Sequence, residues 1–194
     1  MERTRSLSAY RRIDLALFAA IMAVFEGLIV RVSGSVYFRD QAFTVSLAAA
    51  VSGIVYMRWG AWGVLHAFLA GAVYCVFQGA GAEQYAIYIG GNLLSAVMVP
   101  VMNRLGRERI RESRYLFIPI SLGVLVLMQT GRAAISLALG AQLREALLFF
   151  TTDSLSAVFT LVIVGIARRL DGVYEEQTHY LRRVHDEEQK QENQ

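Results

Sequence analysis

Apolar residues in this chain come in blocks of 15 to 24 rather than in alternation. The blocks are Ile13–Arg31, Phe43–Met57, Gly60–Gln78, Tyr85–Met102, Leu116–Leu139 and Ala146–Ala167. A hydrocarbon core of roughly 30 Å takes about 20 helical residues, so each block reads as one membrane-spanning helix. The second block is the shortest. Its boundary with the third is Arg58-Trp59-Gly60-Ala61-Trp62-Gly63, and two Trp beside an Arg and two Gly suit a tight turn at a membrane interface. The pattern therefore predicts an all-α, six-transmembrane-helix bundle.

Composition agrees. Of 194 residues, 55% are hydrophobic and only 18% charged, where a soluble domain carries about a quarter charged. Mean hydropathy is +0.41. The basic N-terminus MERTRSLSAYRRID resembles the opening of a signal peptide, but no cleavage context follows and Glu26 interrupts the block, so it reads as a retained first span.

Charge gives the orientation. With the N-terminus in the cytoplasm, 15 of the 19 Lys and Arg fall on the inner side, only Arg31, Arg39 and Arg144 fall outside, and Arg132 alone stays in the membrane. The positive-inside rule then places both termini in the cytoplasm, and an even number of spans requires the same. The chain divides into a cytoplasmic N-terminus (1–12), a membrane domain (13–170) and a charged cytoplasmic tail (171–194). In the tail, Gly172–Glu188 suits a short helix and the final EEQKQENQ suits disorder. The tail reads as a solvated extension, with docking on a cytoplasmic partner as the alternative. A net charge of +3 gives nucleic-acid binding little support.

Polar residues inside spans are functional candidates, and here they share a depth. Glu26, Gln78, Asn92, Gln129, Arg132, Thr151, Thr152 and Asp153 all fall in the outer half of their spans, whereas His66 is the main exception in the inner half. At about 1.5 Å per residue, Arg132 and Asp153 each lie roughly 10–13 Å below the outer ends of consecutive, antiparallel helices. Two readings stay open: an ion pair that fixes helix packing, or a pocket open to the outside. Polar groups from five helices favour the pocket. Tyr85, Tyr88 and Asn92, spaced i, i+3, i+7, share a helix face. Loop residues Tyr37 and Arg39 add an interfacial anchor and a further candidate ligand contact. Ala16/Ala20 and Ala19/Ala23 are small-xxx-small pairs that permit close helix approach. The lone Cys75 reads as a small buried hydrophobe. The sequence contains no P-loop, HExxH, metal-ligand cluster or G-x-S-x-G motif, so catalysis by the chain itself is not expected.

In "ALFAAIMA", "RWGAWGVLHAFLAGAVY", "YAIYIGGNLLSAV" and "FFTTDSLSAVFTLVIVGIARRLDGVYEEQTHYL" the chain resembles the substrate-binding S component of energy-coupling factor (ECF) transporters, in an uncharacterised branch. The resemblance spans roughly residues 13–181. It implies a multi-pass protein of the cell membrane that captures a vitamin or related micronutrient from outside. It also implies a membrane T subunit and two cytoplasmic ATPases as partners, and no cofactor. Ala16, Ala20 and Ala23 would face the T subunit. Substrate contacts would come from Arg132, Asp153, Gln129, Asn92, Tyr88, Tyr85, Glu26, Gln78, Thr152 and Arg39. The alternatives are a non-transporting membrane scaffold and a stand-alone secondary carrier, although the internal repeats common in carriers are not evident.

Overall fold

The computed structural model describes residues 7–33 and 45–192, and among them every regular element is helical. Five helical stretches are long and apolar enough to cross a membrane: Leu7–Ser33, Ala48–Gln78, Ala82–Leu105, Phe117–Ala138 and Leu143–Ala167. Large apolar side chains such as Leu17, Val24, Phe68, Val126, Val158 and Val162 cover the outside, while Glu26, Asn92, Gln129, Arg132 and Asp153 are buried. Apolar outside and polar inside is the arrangement a bilayer solvent demands, and the chain is a membrane protein.

Helix α1 (Leu7–Ser33) is followed by α2 (Ala48–Trp59), in which every residue from Ala48 to Arg58 is buried. Its small residues Ala48, Ala49, Ala50, Ser52 and Gly53 let neighbours approach from all sides. Short length and central position go together, because α2 is enclosed by α1, α3 and the later helices. The Ala48–Gln78 stretch does not run straight. Gly60 ends α2 at φ +61°, a 3-10 turn (Gly60–Gly63) follows, and α3 (Val64–Gln78) packs back along α2. A Cβ on Gly63 would lie 2.4 Å from the Tyr56 ring, so the hairpin closes only with Gly at that position.

Helix α4 (Ala82–Leu105) contains a π segment at Ala86–Gly90 and a 3-10 segment at Leu94–Val97. The short α5 (Arg107–Glu112) precedes α6 (Phe117–Ala138). Two helices, α7 (Leu143–Thr152) and α8 (Ser154–Ala167), replace the single continuous span expected over Ala146–Ala167. The interruption is Asp153, a residue type whose side chain competes for backbone groups and favours caps over helix interiors.

Cross-helix contacts give the directions. His66 Nε2 meets the Leu15 carbonyl at 3.1 Å and Gly27 lies against Phe77, so α1 and α3 run parallel with α2 antiparallel to both. Asn92 pairs with Ala67, and Gly91 packs on Arg132, so α4 opposes both α3 and α6. The tightest seam is between α4 and α6: a Cβ on Gly131 would lie 2.3 Å from the Gly91 carbonyl oxygen.

One end of the bundle is tied by Arg58. Its Nη2 and Nε donate to the two Asp14 carboxylate oxygens at 2.7 and 2.8 Å, and its Nη1 donates to the carbonyls of Gly172 and Val173. Trp59 Nε1 also donates to Asp14, at 2.5 Å. The start of α1, the α2–α3 elbow and the segment after α8 therefore converge. Two expectations change here. His66 is not the main polar group toward this end of the spans, because Asp14 and Arg58 meet there across 44 residues of sequence. The segment after α8 is not simply solvated either: Tyr174 and Gln177 are buried, and Glu175 pairs with Arg111. A helix does form in the tail, as α9 (Gln177–Glu192), but it starts later than Gly172 and its backbone stays helical through most of the stretch expected to be disordered.

Candidate substrate-binding cavity

At the opposite end from Arg58, α6 presents Gln129 and Arg132 one turn apart toward the Asp153 break. Arg132 donates from Nε to Asn92 Oδ1 at 3.0 Å. From Nη1 it donates to Gln129 Oε1 at 3.3 Å and to Asp153 Oδ2 at 3.2 Å. Its guanidinium carbon stands 4.8 Å from the centre of the Tyr88 ring. The residue is only 6% exposed, and Nη2 carries no hydrogen bond to any described residue. Gln129 also donates through Nε2 to Asp153.

The network continues in both directions. Asn92 Nδ2 donates to the Ala67 carbonyl at 3.1 Å. Ser156 Oγ donates to Asp153 Oδ1 at 2.9 Å and accepts from Ser46 N at 2.9 Å. Ser46 Oγ and Leu47 N donate to the Glu26 carboxylate at 2.6 and 2.7 Å. An unbroken hydrogen-bonded path thus joins α1, the start of α2, α8, α6, α4 and α3. Glu26 sits where the first N–H groups of α2 lack helical partners, and it meets that need as a capping carboxylate would.

Beside the network lies a cavity of about 210 Å³. Tyr74, Tyr88 and Phe149 form its aromatic wall, Arg132, Asp153 and Thr152 its polar part, and Val45, Ser46, Glu145 and Leu148 the remainder. Tyr74 and Tyr88 stack with centroids 4.2 Å apart, and Phe149 meets Tyr88 edge-on at 6.0 Å. The Tyr88 hydroxyl donates to that of Tyr74 at 3.3 Å. A larger hollow of about 500 Å³ at the Arg58 end lies among Arg107, Arg111, Glu175 and Glu176. Its charges answer one another through Arg111–Glu175 and Arg107–Glu176, and it lacks an aromatic wall.

The sequence candidates fall into three groups. Arg132, Asp153, Tyr88 and Thr152 line the cavity. Gln129, Asn92 and Glu26 belong to the network behind it. Gln78 and Tyr85 are not brought to the cavity. Gln78 is exposed at the last residue of α3, where the chain leaves the helix at Gly79. Tyr85 precedes the π segment, whose wider turn breaks the i, i+3, i+7 phase, so Tyr88 and Asn92 reach Arg132 and Tyr85 does not line the cavity. Arg39 and Tyr37 lie outside the described residues.

Sequence reasoning missed Tyr74, Phe149, Ser46 and Ser156. Tyr74 stands one turn before Gln78, at the depth already under suspicion, and that depth was a usable signal for it. Phe149 in a span reads equally well as lipid-facing, and nothing in its own neighbourhood distinguishes the two. Cys75 is buried as expected, its Sγ 3.6 Å from the Gln84 carbonyl. Compared with protein-family models, curated proteins and solved structures, the chain matches none.

Proposed function

We propose that this chain is the substrate-binding membrane subunit of an ECF-type importer, capturing a vitamin or related micronutrient and passing it inward with a T subunit and two ATPases. The reading counts the two arms of the Ala48–Gln78 hairpin as separate passes, which gives six in all. It places the Arg58 end, rich in Arg, in the cytoplasm by the positive-inside rule, and the cavity then opens toward the outer face of the cell membrane.

The observation that carries the proposal is Arg132. A buried guanidinium is held by Asp153, Gln129 and Asn92, yet it keeps Nη2 for something else, beside a cavity walled by three aromatic rings. Convergent polar groups in an otherwise apolar pocket are the usual form of a small-molecule site. Ala16 and Ala20 support the partner assignment: both are exposed on α1, with Ala23 half-buried beside them. They leave a smooth strip on which another membrane helix could lie closely.

The scaffold alternative draws on the same network, since Glu26, Asn92 and Gln129 all find hydrogen-bond partners within the protein without a ligand. Affinity purification of the full chain from mildly solubilised native membranes separates the two readings. The proposal expects one further integral membrane protein and two ATPases to co-purify. A chain recovered without any ATPase, under conditions that preserve other membrane complexes, contradicts it.

A further inference from the structure

Resting on that reading of the cavity, we propose its ligand class: an uncharged, planar heteroaromatic molecule of one or two fused rings bearing a carbonyl acceptor.

Size gives the first indication. About 210 Å³ falls below the roughly 300–1,000 Å³ of pockets for drug-sized ligands, and one or two fused rings fill it. The wall sets the shape. Tyr74, Tyr88 and Phe149 offer ring faces and edges, and aromatic surfaces pair best with other flat rings, stacked or edge-on.

Charge decides the rest. Among the described residues the single cation at the cavity is Arg132, and its charge is already answered by Asp153 at 3.2 Å. Glu145, also in the lining, adds a second carboxylate. An anionic ligand would find one compensated cation and two carboxylates. A cationic ligand fares no better. The guanidinium stands over Tyr88 and stays charged, so it repels a second cation. The acidic oxygens are also engaged, Asp153 by Ser156, Gln129 and Arg132, and Glu145 by the Gln142 N–H at 3.1 Å.

What remains unanswered is a pair of donors. Arg132 Nη2 has no partner among the described residues. The Tyr74 hydroxyl accepts from Tyr88 and keeps its own proton to donate. Two donors beside an aromatic wall match a carbonyl oxygen and a ring nitrogen on one flat, neutral molecule.

The test uses three isosteric probes on the purified full chain in lipid nanodiscs: quinoline-3-carboxamide, quinoline-3-carboxylate and quinoline-3-carboxamidine, followed by titration calorimetry. The carboxamide is expected to bind about tenfold more tightly than either ionic analogue. Phe149→Leu, an apolar exchange at a half-buried site, is expected to weaken carboxamide binding roughly two- to tenfold, and Tyr74→Phe to weaken it by a similar factor while the protein stays folded. An ionic analogue that binds as tightly as the carboxamide overturns the ligand class, and so does the absence of heat from all three. The importer reading stands or falls separately. A charged small molecule released from the denatured native protein would overturn the ligand class alone, whereas loss of ATPase co-purification would overturn the importer reading.

Discussion

Arg132 Nη1 lies 3.2 Å from Asp153 Oδ2, and Asp153 is the residue at which the helical run from Leu143 to Ala167 breaks. Both side chains are more than nine-tenths buried. A charge in that position is tolerable only with its partner present. Arg132→Met is therefore expected to destabilise the protein by about 3–5 kcal/mol, because it strands the Asp153 carboxylate. Arg132→Met/Asp153→Leu is expected to recover most of that loss. Thermal or denaturant unfolding of the purified variants checks the order. A double variant no more stable than the single would show that the pair is not mutually compensating.

Helix seams make a graded prediction. Gly131→Ala places a methyl group 2.3 Å from the Gly91 carbonyl oxygen, which is backbone and cannot yield. Gly123→Ala meets only the flexible end of Met98, at 3.1 Å. The first is expected to cost about 1–3 kcal/mol, within the range for overpacking, and the second markedly less. Equal thermal midpoints for the two variants would contradict the α4–α6 packing.

The Arg58 end predicts a change in tail accessibility. Arg58 grips Asp14 with a two-pronged guanidinium while Nη1 holds the Gly172 and Val173 carbonyls. Arg58→Lys keeps the charge but loses the fork. Limited proteolysis should then cut near residues 171–177 several-fold faster than in the parent. Unchanged cleavage would mean that the Arg58 fork does not hold the tail and that other contacts, such as the Arg111–Glu175 and Arg107–Glu176 pairs, suffice.

Alkaline pH should loosen the same region. Burial pushes the Tyr174 hydroxyl above the ordinary tyrosine value, which is near 10. A group whose folded pKa is raised contributes its full stabilisation below the unfolded value and loses it as pH rises toward the folded one. Tail docking should therefore be constant up to about pH 10 and weaken above it, and Tyr174→Phe should remove that part of the dependence. Proteolysis rates from pH 8 to 11 test this, and a Tyr174→Phe profile identical to the parent's would contradict it.

Much of this arrangement was legible because a bilayer makes depth readable. Arg132, Asp153, Asn92 and Glu26 declared themselves as polar groups in apolar runs, and counting residues from the span ends put them at one level. What depth cannot supply is azimuth. Gln78 shares the level but ends its helix exposed, and Tyr85, just before the π segment at Ala86–Gly90, does not line the cavity that Tyr88 lines. Arg58 read as an ordinary loop charge because its partners Asp14 and Gly172 are 44 and 114 residues distant. The burial of α2 on every side was equally hidden, since a short run of Ala, Ser, Val and Ile has the same composition whether lipid or protein surrounds it.

The central claim is that the cavity beside Arg132 holds a small molecule. Native mass spectrometry of the wild-type chain and of Arg132→Met/Asp153→Leu, both purified from the same host and both shown to be folded, tests it most directly. The account predicts a non-lipid small molecule retained by the wild type and absent from the double variant. Equal retention by both, or an empty wild type from cells grown in rich medium, would contradict it.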